Sequence, residues 1–185
     1  MKFNNKTIRT AVKEWLDDPK KAEKKYGHIS NWDVSNVTDM ESLFENAKYT
    51  YITTQMMGFK RFNEDISNWD VSNVNNMKNM FLRNGCAKNA FNKDIGCWDV
   101  SKVTNMQGMF AHTESFNQDI GDWDVSNVTN MKEMFAYAQD FNQDIERWDV
   151  GQVTNMYAMF RDTRSFNQNL GDWNISEKTN IEDMF

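Results

Sequence analysis

Apolar positions recur along this chain as a block, at a long period. Trp32, Trp69, Trp98, Trp123, Trp148 and Trp173 each open a near copy of Trp-Asp-Val-Ser-x-Val-Thr-Asn-Met-x-x-Met-Phe, and from Trp98 onward the copies follow at 25-residue intervals. A fixed period between about 20 and 50 residues marks a repeat architecture, in which each copy buries its apolar face only against its neighbours. The copy that begins at Ile120 shows what one unit encodes. Trp123 and Val125 fall on one face of a short strand while Asp124 and Ser126 point the other way, because strand side chains alternate. Met131, Met134 and Phe135 then have the i, i+3, i+4 spacing of one buried helical face, with Thr129 or Asn130 as a cap. The pattern predicts an α/β repeat solenoid with one short parallel strand and one short helix or 3₁₀ segment per repeat.

Residues 1–28 stand outside the repeat and read as an N-terminal helical cap, while residues 29–185 read as a six-repeat solenoid whose sixth repeat is incomplete. Ile8, Ala11, Val12, Trp15 and Leu16 form one helical stripe. A second short helix starts at Asp18-Pro19, with Asp as cap and Pro in the first turn, and Gly27 suits its end. Two intervals break the period. Phe44 to Phe62 is twelve residues longer than Phe110 to Phe116, giving an insertion loop at 49–60, and a four-residue insertion lies between Phe81 and Phe91. The longer one carries Tyr49, Tyr51, Ile52, Met56, Met57 and Phe59, a composition that fits a partner-contact patch as well as it fits a segment folded back to complete the core.

Stacking turns each repeat position into a row. The Trp row reads as core, since burying about 200 Å² of indole at about 25 cal/mol per Å² stabilises by roughly 5 kcal/mol. The Met and Phe rows read as core too. Asn63, Asn92, Asn117, Asn142 and Asn167 each follow a Phe and suggest a structural ladder of amides that satisfy backbone groups. Asp33, Asp70, Asp99, Asp124 and Asp149 set like charges side by side, so something must offset their repulsion. Each carboxylate can accept the N–H two residues on or the hydroxyl of its own Asp-Val-Ser segment. The other reading is that this row, with Asp65, Asp94, Asp119 and Asp144, collects Ca²⁺. The Thr row at 38, 104, 129, 154 and 179 reads as helix caps.

Composition narrows the function. A net charge of −6 gives no basic stripe for nucleic acid. No run of 18 apolar residues is present, so no membrane span is expected, and the first ten residues lack a secretory h-region. Cys86 and Cys97 match no zinc spacing and read as free thiols, with a local bridge as the other possibility. His28 and His112 are the only histidines. They fall several repeats apart, and neither lies near a carboxylate–serine arrangement suited to a triad, so no catalytic residues are assigned and no enzyme is expected.

The unit Phe-Asn-x-Asp-Ile-x-x-Trp-Asp-Val-Ser-x-Val-Thr-Asn-Met-x-x-Met-Phe, as in Phe116 to Phe135, resembles the repeat of BspA-like leucine-rich-repeat surface proteins, over residues 29–185. That resemblance implies a leucine-rich-repeat-like right-handed coil and a non-catalytic scaffold for protein–protein interaction or adhesion. It also implies a cell-surface or secreted location, although no signal peptide or anchor is seen. Recognition is expected at loop 49–60 or on the solenoid face. The alternative is a calcium-binding structural or self-assembling repeat protein. Because the chain stops at Met184-Phe185, an apolar edge is expected there, leading either to end-to-end association or to a natural continuation.

Overall fold

The computed structural model describes residues 1–45, 62–83 and 91–185. Strand β1 (Lys2–Asn4) leads into helix α1 (Asn5–Asp17), which packs on helix α2 (Pro19–Tyr26). Asn4 starts α1 with a capping box, accepting from the N–H groups of Lys6 and Thr7 while Thr7 Oγ1 accepts from the Asn4 N–H. Ile8, Ala11, Val12 and Trp15 are its buried face. Asp18 caps α2 through the Lys21 N–H at 3.2 Å, and Gly27 closes it at φ +78°, where a Cβ would strain the backbone. A 3₁₀ turn (Ile29–Asn31) precedes strand β2 (Asp33–Asn36), which pairs in parallel with β1.

Beyond β2 the described chain has neither helix nor strand, which overturns the expected α/β repeat solenoid with a strand and a helix in each repeat. Each repeat instead forms a tier of successive turns, and tiers touch through single-residue parallel bridges: Asp39 with Asn76, then Asn76, Asn105, Asn130, Asn155 and Asn180 in succession. The strand fails because its residues close a turn, with the Val128 N–H on the Val125 carbonyl at 2.9 Å. The helix fails for two reasons. Glu133 sits at φ +55°, in the left-handed region that no right-handed helix contains. In addition, the N–H groups of Met131, Glu133 and Phe135 reach across to the carbonyls of Asn155, Tyr157 and Met159 in the next tier, at 2.8–2.9 Å, and so none is spent within a helix. Ser42, Asn79, Gly108, Ala158 and Asp183 repeat that positive φ at the same place in their tiers.

The interior is built from side-chain columns. All six repeat Trp residues are buried, as are Met77, Met80, Met106, Met109, Met131, Met134, Met156 and Met159. Two Phe columns run side by side. Phe81, Phe110, Phe135 and Phe160 stack along the tiers at 5.6–5.7 Å between centroids, and each pairs with its neighbour (Phe91, Phe116, Phe141, Phe166) at 3.9–4.2 Å. Such near-parallel rings add attraction beyond the apolar area they remove from water.

The N-terminal elements cover the first tier. Phe3, Trp15 and Tyr26 surround Trp32, with centroids 4.9–5.8 Å away. Asn5 of α1 takes the place of an earlier tier: its Oδ1 accepts the Thr38 N–H at 2.8 Å and its Nδ2 donates to Thr38 Oγ1 at 2.9 Å. Arg9 donates to the Glu41 carbonyl and pairs with Asp39 at 3.3 Å. Polar groups at the exposed end of the stack therefore find partners on α1.

Candidate interaction surface

Most of the repeated polar side chains have a defined use. Asp33, Asp70, Asp99 and Asp124 each accept, on Oδ1, the N–H of the Ser two residues on at 3.1–3.2 Å and its hydroxyl at 2.6 Å; Asp149 accepts the Gly151 N–H at 3.0 Å. Asp65, Asp94, Asp119 and Asp144 do the same for the residue two on, at 2.9–3.0 Å. A third set, unrecognised as turns in the sequence, comprises Asp39, Asn76, Asn105, Asn130, Asn155 and Asn180. Its signal was the Asp or Asn that recurs before each Met or Ile. The second to fifth tiers thus turn on three Asx corners each, whose side-chain oxygens replace the backbone acceptors of regular structure.

These bonds act on the carboxylates as well. The Ser35 hydroxyl and N–H hold Asp33 below its usual pKa, and those of Ser101 do so for Asp99. For Asp65 the Ser67 N–H leads and the hydroxyl follows. Hydrogen bonds to the charged form favour it.

Other rows join one tier to the next. Asn63 Oδ1 accepts the N–H of Asn92, and the pattern continues through Asn117, Asn142 and Asn167 at 2.8–3.0 Å. Gln118, Gln143 and Gln168 donate Nε2 to the same oxygens at 2.8 Å. Indole Nε1 groups of Trp69, Trp98, Trp123, Trp148 and Trp173 donate to the carbonyl of the preceding tier's Ile, at 2.9–3.2 Å. Thr104, Thr129 and Thr154, expected as helix caps, donate their hydroxyls instead to carbonyls of the preceding tier at 3.1–3.2 Å.

What remains on the surface differs from tier to tier. Two open grooves lie along the Asp row, one with Asn31, Asp33, Asn68 and Asp70, the other with Arg147, Asp149, Asp172 and Asn174. On another side His112, at φ +57°, lies flat on Tyr137 with centroids 4.4 Å apart, and Lys132 Nζ stands 5.2 Å over the Tyr157 ring. Partial burial keeps the His112 pKa below its usual value, against the opposing pull of Glu114 and Glu133. His28 is far from it: its Nδ1 accepts the Ser30 N–H at 3.3 Å and lies 2.8 Å from Ser30 Oγ, capping the 3₁₀ turn. Cys97 is a free, exposed thiol whose Sγ lies 3.4 Å from the Ser67 carbonyl. Tyr49, Tyr51, Ile52, Met56, Met57 and Phe59, expected to meet a partner, and Cys86 lie outside the described residues. Among the described residues no group of three or more His, Cys, Asp or Glu is arranged to hold a metal ion, and no helix is long and apolar enough to cross a membrane.

A family model described as Mycoplasma protein of unknown function, DUF285, matches residues 10–88 and 83–185, and the chain belongs to that family. No curated protein and no solved structure matches it.

Proposed function

We propose that this member of the DUF285 family is a non-catalytic repeat scaffold for protein–protein interaction or adhesion, with repeats akin to those of BspA-like surface proteins. One observation carries the reading. The recurring polar groups, Asp, Asn, Thr and Trp Nε1, are spent on corners and on bonds between tiers, while the side chains that change from tier to tier face outward. A support whose repeated residues hold it together leaves its variable surface to recognise a partner. The surface that favours protein contact is the side bearing His112, Lys132, Tyr137 and Tyr157, since aromatic and long cationic groups supply contact area at modest entropic cost. The aromatic segment 49–60 is the second contact region in this reading, on its composition alone.

Capture from host extracts and from matrix or glycan preparations tests this. The intact chain is compared with one lacking residues 49–60 and with a His112→Ala/Tyr137→Ala double variant, folding being checked by circular dichroism. A protein partner bound by the intact chain and lost from a folded variant is the expected result. Equal capture by all three moves recognition to the Asp-row grooves, and no capture by the intact chain counts against the reading.

A further inference from the structure

Charge is divided unevenly along the chain. Of its 21 basic and 27 acidic side chains, eight and four lie in residues 1–28, which leaves the helical pair positive and the remaining residues strongly negative. On α2, Ala22 is the one buried residue, and Lys20 and Lys24 stand opposite it with Lys21 beside them, all three exposed. Lys13 is exposed on α1. None of these four forms an ion pair among the described residues, whereas Lys25 is held by Glu14 at 2.9 Å and lies over the Tyr26 ring. Helix stability does not account for this face. Lys20 with Lys24 and Lys21 with Lys25 are like-charged pairs four residues apart, which weaken a helix, and Lys20 and Lys21 sit in the first turn, where the helix dipole favours acids.

The composition of the face narrows its partner. Protein interfaces are depleted in Lys and enriched in Arg and aromatic residues. Here the one Arg of the helical pair, Arg9, is spent on Glu41 and Asp39, and no aromatic ring stands between Lys20 and Lys24. Ammonium groups with no shaped surface around them suit a partner whose charges can move to meet them, which an anionic lipid surface provides. We propose that the lysine face of α2, with Lys13, docks on an anionic lipid membrane while the acidic tiers stand away from it. The surface that attracts α2 repels the tiers, so a chain of net charge −6 binds it in one orientation. With Lys20, Lys21 and Lys24 making up that face, the attachment is electrostatic and releases in salt.

The experiment pellets the full chain with vesicles of equal parts phosphatidylglycerol and phosphatidylcholine, and with vesicles of phosphatidylcholine alone, at low salt and at about 0.15 M. The chain should bind the anionic vesicles at low salt, bind them less at the higher salt, and ignore the neutral ones. Lys20→Glu/Lys24→Glu should weaken binding roughly tenfold or more, at about fivefold for each lysine lost from the surface. Lys93→Glu/Lys102→Glu, which makes the same change in net charge within the third tier, should lose far less. On bicelles of the anionic mixture carrying a nitroxide headgroup, amide resonances of α2 should broaden before those of the tiers. No binding at low salt, equal binding to neutral vesicles, equal losses from the two charge-matched variants, or broadening that begins in the tiers would overturn the proposal. So would salt-sensitive self-association or RNA binding through Lys20 and Lys24 in place of lipid binding. Lys20→Gln/Lys24→Gln takes the place of the reversed pair should circular dichroism show that variant unfolded.

Discussion

Asn117→Ala is the substitution that weighs the asparagine row most cleanly. Asn117 Oδ1 accepts the Asn142 N–H at 2.9 Å and Gln143 Nε2 at 2.8 Å, while its own N–H donates to Asn92 Oδ1 at 3.0 Å. Alanine keeps the N–H and removes the oxygen. Two neutral hydrogen bonds are lost, each worth about 1 kcal/mol net, and the Asn142 N–H is left half-buried without its acceptor. Water reaches part of the site, so the cost should be about 2 kcal/mol, a fall in Tm of about 4–8 °C for a chain of this size. Asn167→Ala is the internal control. The Asn167 N–H donates to Asn142 Oδ1 and survives the change, and no described neighbour donates to the Asn167 side chain. Its cost should stay within about 0.5 kcal/mol, as for surface substitutions in general. Urea unfolding of both variants beside the parent, with the m-value compared as well as the midpoint, gives the answer. Equal losses from the two variants would refute the ladder, because a merely surface asparagine behaves the same at either place.

Three further outcomes follow from the tiers. Glu133→Gly should stabilise by about 0.5–1 kcal/mol, since glycine tolerates φ +55° and the Lys132 pair given up is exposed, whereas Gly108→Ala should destabilise because its Cβ would run into Asn79 Oδ1; thermal melts of both decide this. Asn5→Ala should cost about 1–2 kcal/mol and loosen the first tier before the others, read by amide exchange at Thr38, because its side chain alone supplies the acceptor for that N–H. Asp33, Asp65 and Asp99 have pKa values below the ordinary carboxylate range, so their contribution is complete above about pH 4 and is lost as pH falls through the lowered values; an acid titration should show stability declining below pH 4, and a chain most stable below it would contradict the assignment.

Much of this arrangement was legible before any coordinates. The period of the Trp residues, the apolar Met and Phe positions and the recurring Asn all follow from residue identity and spacing, as does the helical pair from the stripe at Ile8, Ala11, Val12 and Trp15. The secondary structure of the repeat was not. Periodicity reports which side chains face inward, and a run such as Met131, Met134, Phe135 meets that demand without being helical. What decides the backbone is where its N–H groups go, and here Asp and Asn side chains and the next tier claim them. The left-handed residues left no mark either, since Glu133, Ala158 and Asp183 stand where glycine would have signalled the conformation.

The account rests on hydrogen bonds between tiers in which repeated side chains take part beside the backbone, and amide exchange measured residue by residue tests the side-chain share most directly. The N–H groups of Asn117 and Asn142 should be protected, and Asn92→Ala should release Asn117 while leaving Asn142 slow, because each has a single side-chain acceptor in the tier before it. Fast exchange at both positions in the parent chain, or an Asn92→Ala variant in which the Asn117 N–H stays as slow as in the parent, would contradict it.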